Sequence, residues 1–130
     1  MGRDESGDTV AIAARIDELA ERAATDQQTF EPPVDPPDPE RAKSFLIDGA
    51  GEAVWLYAHA RTGGRLYPFS EEEWNRLEGA MNTWFRLYAA CYGEDINPRV
   101  TLRTAAEALV DTNDIVAVAR TVTGVPDEPF

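Results

Sequence analysis

The sequence predicts a mainly α-helical protein of about five helices with a single β-hairpin over residues 53–69; the alternative is an all-α chain with a longer second helix. Three observations carry this expectation. Residues 70–93, SEEEWNRLEGAMNTWFRLYAACYG, combine a helix start signal, a long apolar period and a stop signal. Four other segments repeat apolar residues at three- and four-residue steps, the period of a helix with one buried face. One stretch, GEAVWLYAHARTGGRLYPF over 51–69, instead places alternating residues on either side of a Gly-Gly pair, as a tight hairpin does.

Taken in order, Asp8 or Thr9 caps a first helix running to about Gln28, with Ile12, Ile16, Leu19 and Ala23 as its buried stripe. EPPVDPPDP, residues 31–39, cannot be helix, because its prolines remove amide donors and push each preceding residue into extended geometry. At ~3.1 Å per residue in polyproline form, this strap could carry the chain roughly 25 Å. Asp38 followed by Pro39 is a cap with a first-turn proline. It opens a second helix to about Ile47 that buries Ala42, Phe45 and Leu46 and stops at DGAG, 48–51.

The central helix starts with a capping box, Ser70 with Glu73 three residues on. Glu71 and Glu72 follow at the positive end of the helix dipole. Trp74, Leu77, Met81, Trp84, Phe85, Tyr88, Cys91 and Tyr92 form its broad apolar stripe, and Gly93 ends it in a left-handed cap. Thr101 caps a helix from Leu102 to about Asp111 with Ala105, Ala106 and Leu109 inward. Thr112-Asn113-Asp114 breaks the chain and caps a last helix carrying Ile115, Val118, Ala119 and Val122, closed by Gly124.

Residues 51–69 divide the two fold readings. With Gly63-Gly64 as the turn, Pro68 falls at a position whose missing amide faces away from the partner strand. Val54, Leu56, Ala58, Ala60, Tyr67 and Phe69 then share one face, and Trp55, Tyr57, His59, Arg61, Leu66 and Pro68 the other. The helical alternative must hold Gly49 and Gly51 inside a helix at ~1 kcal/mol each. Mostly for the Gly63-Gly64 turn and the placement of Pro68, the hairpin is the expectation.

A chain of 130 residues is expected to form one compact domain over 8–125, containing the strap, between flexible ends at 1–7 and 126–130. No run approaches the ~18 apolar residues of a membrane span, and the N-terminus lacks the basic-then-apolar order of a secretory signal. The expected location is therefore cytoplasmic, with no membrane. One cysteine and one histidine make a zinc site a poor fit, and no phosphate-cradling loop or calcium-loop spacing occurs, so no cofactor is expected.

The net charge is -12, from 24 acids against 12 bases, and Lys43 is the only lysine. Residues 1–40 hold 11 acids and 3 bases, which makes the N-terminal third the most repellent part. Acidic surface, scarce lysine and abundant alanine together resemble the proteins of salt-accumulating haloarchaea. That resemblance implies a halophilic habitat and no particular activity. It also implies a fold that gains stability between low and molar salt, where the screening length falls to about 3 Å.

No residues here match the site of a family with a known activity. Cys91 lies among aromatics in the last turn of its helix, where the dipole raises a thiol's pKa, so it reads as a core residue. His59 has no serine, second histidine or ligand spacing beside it, which leaves a small enzyme centred on His59 as one alternative function. A helix-turn-helix regulator using the last two helices is another, but the outward residues Arg120, Thr121 and Thr123 are a thin DNA-reading set, and net charge argues against nucleic acid. The outer hairpin face gathers Trp55, Tyr57, His59 and Arg61, and aromatics and arginine are enriched at binding hot spots. The expected function is a small acidic interaction or assembly module, binding a protein partner or a second copy through those four residues.

Overall fold

The computed structural model describes residues 3–62 and 68–125, with side chains over 11–60 and 68–125. Helix α1 (Arg3–Thr29) precedes the proline strap, then come α2 (Pro39–Phe45), a π-helical segment (Leu46–Ala50), α3 (Gly51–Thr62), α4 (Glu71–Cys91), α5 (Leu102–Thr112) and α6 (Ile115–Thr123). Among the described residues there is no strand. Helix α4 is the axis, with α1, α2 and the π segment packed along it and α3, α5 and α6 touching it. Its Leu77, Met81, Trp84, Phe85 and Tyr88 are buried, as the apolar period requires. The capping box is formed: Glu73 N donates to Ser70 Oγ at 3.1 Å, and Ser70 N donates to Glu73 Oε1 at 3.1 Å. Gly93 follows the helix with φ 83°.

The hairpin expected over 53–69 is not formed, and the all-α alternative fits. Gly51–Thr62 is helix, and Ala53, Val54, Tyr57 and Ala60 are buried at helical spacing. The Gly63-Gly64 turn and the residues to Tyr67 lie outside the described residues. Gly49, just before this helix, and Gly51, its first residue, are explained by what they touch. A Cβ at Gly49 would sit 2.4 Å from the indole Cδ2, so a bare backbone is what allows the ring to lie against this turn. A Cβ at Gly51 would meet the Leu46 carbonyl at 2.8 Å. The two glycines that resemble helix stops therefore belong to a close approach inside one continuous rod, where the turn widens to π geometry.

Polar contacts hold the other elements to this axis. Asp17 of α1 pairs with Arg76 of α4 at 2.6 Å, and Trp84 Nε1 donates to Asp26 Oδ2 at 2.8 Å. The strap is anchored where Asp38 N donates to the Cys91 carbonyl at 2.8 Å, and Arg41 stacks over Phe30 at 4.6 Å. Asn82 clamps the connection after α4 in the manner of a strand pair, donating to the Val100 carbonyl and accepting from Val100 N, each at 2.9 Å. Glu78 accepts from Leu102 N at 2.9 Å, so α5 is capped from α4 as well as by its own Thr101. Asn113, at φ 54°, and Asp114, which accepts from Val116 N at 3.0 Å, make the corner into α6, and Gly124 at φ 73° ends it.

Candidate functional site

From Pro39 to Thr62 the chain is one unbroken helical rod. Lys43, Ile47, Gly51, Trp55 and His59 recur along it every four residues, and all five line one groove of about 600 Å³. In a regular α-helix of 3.6 residues per turn, positions eight apart are offset by about 80° around the axis. The wider π turn takes up part of that offset, which brings Ile47 and Trp55 to the same opening. The opposite wall is Leu109 of α5 with Ile115 and Val116 at the start of α6. The two walls meet at Gly51, where Ile115 Cγ1 lies 3.5 Å from the place of a Cβ, an ordinary van der Waals distance.

The groove keeps apolar surface in water. Trp55 is 50% and Ile47 52% exposed, and among the described residues only Val34 and Val110 are other large hydrophobics as open. Its charges are unequally matched. Glu52 accepts from Arg15, which also donates to Glu18 at 2.9 Å. Arg15 holds its proton more tightly than usual, chiefly through the Glu18 hydrogen bond. Asp114 is occupied as the cap of α6, at the positive end of that helix. The Lys43 side chain is exposed and makes no hydrogen bond or ion pair among the described residues.

Of the four residues expected to bind together, Trp55 and His59 lie one turn apart in the groove. Tyr57 points the other way: it is 6% exposed, with Phe69 at 5.7 Å and Trp74 edge-on at 5.3 Å. The Arg61 side chain lies outside the described residues. Strand alternation joins these four, and helical geometry separates them. Ile47 and the α5–α6 wall have no place in the hairpin reading. The row of four-residue steps from Lys43 to His59 is the sequence signal that reaches Ile47, because a row of that spacing forms a ridge on a helix.

His59 is exposed and shares the groove with two carboxylates, each already engaged, Glu52 by Arg15 and Asp114 by the α6 amide. Among the described residues no cluster of three or more metal-ligating side chains occurs, and no helix is long and apolar enough to cross a membrane. Cys91 is fully buried, and burial pushes its thiol up to about 11. On α6 the exposed side chains include Arg120 and Thr121, while its first turn faces the groove. Neither a curated protein nor a solved structure matches the chain. A family model described as a domain of unknown function, DUF8055, matches residues 10–127, and the chain belongs to that family.

Proposed function

We propose that this chain is a small acidic protein-interaction or assembly module of the cytoplasm, with the groove along α3 as its docking surface. The observation that supports this is the half-exposed pair Trp55 and Ile47 opening into one groove of about 600 Å³. That volume falls within the roughly 300–1,000 Å³ of binding pockets, and tryptophan is among the residues most enriched at hot spots. An enzyme centred on His59 has less support, because a general base needs an orienting partner and both groove carboxylates are engaged elsewhere. A DNA reader has less again, since α6 turns an apolar first turn toward the groove.

The test is comparative capture. The full chain and an Ile47→Ala/Trp55→Ala variant are used as bait in parallel, with sedimentation of each alone. The native chain should hold a partner, or a second copy, that the variant loses while melting within about 1 kcal/mol of native, as expected for exposed positions. A well-folded variant that keeps every partner and the same sedimentation behaviour would remove the groove from consideration.

A further inference from the structure

We infer that the groove takes a segment of a partner protein that seats an uncharged apolar side chain against Trp55 and Ile47 and carries arginine or lysine on either side of it; this rests on the docking reading of the groove. The lining itself is balanced, Arg15 and Lys43 against Glu52 and Asp114, so its centre favours neither sign. What it offers a partner there is the half-exposed surface of Trp55 and Ile47. Around the lining stand acids. Glu18 holds Arg15 from the α1 side, Asp48 follows Ile47 one turn before Glu52, and Glu40 lies in the first turn of α2, three residues before Lys43. All three are exposed, and the carboxylates of Glu40 and Asp48 make no hydrogen bond or ion pair among the described residues. Arg22, the base beside Asp48, is engaged with the Asp48 carbonyl and the Trp84 ring.

This pattern separates the anchor from its flanks. With the lining included, the carboxylates of Glu18, Glu40, Asp48, Glu52 and Asp114 outnumber the bases Arg15, Arg22 and Lys43. A carboxylate on the partner's flank would meet Glu40 or Asp48 and approach a molecule of net charge -12, whereas a guanidinium or ammonium there is drawn by both. An arginine beside the anchor gains further from the open indole of Trp55, since a guanidinium over an indole face is attracted by the ring quadrupole. A second copy of this chain is a poorer occupant, because it brings another -12 to the contact.

The experiment is selection of peptides from a displayed random library on the full native chain, followed by affinity measurement against four variants. Glu40→Lys/Asp48→Lys reverses the two carboxylates beside the groove. Glu94→Lys/Asp95→Lys makes the same change of net charge at a separate cavity, near Phe30 and Pro32. Trp55→Ala removes the seat of the anchor, and Val110→Ala is an exposed control outside the groove. Enriched peptides should carry an apolar residue flanked by arginine or lysine, lose binding to Trp55→Ala and bind Val110→Ala as native. They should weaken about tenfold against Glu40→Lys/Asp48→Lys and no more than about twofold against Glu94→Lys/Asp95→Lys, and both effects should shrink as salt rises. Peptides that depend on Trp55 but carry acidic or neutral flanks, or that lose as much to Glu94→Lys/Asp95→Lys as to the groove variant, would overturn the basic-flank inference and leave the groove reading standing. Enrichment of nothing, or of peptides indifferent to Trp55→Ala, would overturn both.

Discussion

Trp84 and Trp55 are the same side chain in opposite settings. Trp84 has no exposed surface; its indole N–H donates to Asp26 at 2.8 Å, Arg22 stands over its ring at 5.8 Å, and Gly49 presses bare backbone against it. Trp55 is half exposed on the other side of the same rod, and its indole N–H has no hydrogen-bond partner among the described residues. Burying a large apolar side chain is worth roughly 1.5–3 kcal/mol, so leaving half of an indole in water forgoes on the order of 1 kcal/mol. The difference separates two tasks. Around Trp84 glycine, carboxylate and arginine are committed to the fold, whereas around Trp55 the neighbours form a wall that stands back.

The comparison breaks most directly at its buried end. Trp84→Ala should cost about 3–5 kcal/mol, the range for truncating a buried aromatic, read from denaturant midpoints. Gly49→Ala should cost about 1–3 kcal/mol by overpacking the same ring. A Gly49→Ala variant as stable as native would mean that the π turn does not depend on the bare contact.

An alkaline titration probes the same core from Cys91. Burial raises its thiol from 9.0 to about 11, and it also raises Tyr88. A group whose folded pKa is raised contributes fully below its unfolded pKa and loses that contribution as pH climbs through the folded one. Cys91 should therefore weaken the fold between pH 9 and about 11, by roughly 2–3 kcal/mol in total. Cys91→Ala should reduce that alkaline loss; an unchanged pH profile would place its cause elsewhere.

Asn82 tests a smaller joint, the clamp on the connection between α4 and α5. Asn82→Ala leaves Val100 N and its carbonyl without their side-chain partner and should cost about 1–3 kcal/mol. Asn82→Asp keeps the acceptor but removes the donor at neutral pH. Its deficit against native should narrow toward about pH 4, where a protonated carboxyl can donate again. Equal deficits at both pH values would contradict the clamp geometry.

Much of this fold is readable from residues whose role is local. Ser70 with Glu73, Asp38 with Pro39, Thr101, Asn113, Asp114 and the two positive-φ glycines act through neighbours a few positions away, and all occur where spacing predicts. Residues 51–62 mislead because their determinant is distant. Gly49 meets Trp84 thirty-five positions later, and nothing near it in the sequence tells a glycine kept for a close contact from one that ends a helix. Alternation then assigns Tyr57 to the wrong face, while Trp55 and His59 remain outward in strand and helix alike. Asn82 and Glu78 are silent in the sequence for the same reason, since a polar residue on a helix does not reveal which loop it will hold.

The central claim, that the α3 groove serves binding and not folding, rests on Trp55. Its most direct test is Trp55→Ala, with denaturant stability and partner or self-association measured on the same samples. The account predicts a stability loss of less than about 1 kcal/mol, as for an exposed position, together with loss of association. A loss of ~3 kcal/mol or more, the size expected for a core aromatic, or association unchanged by the substitution, would contradict it.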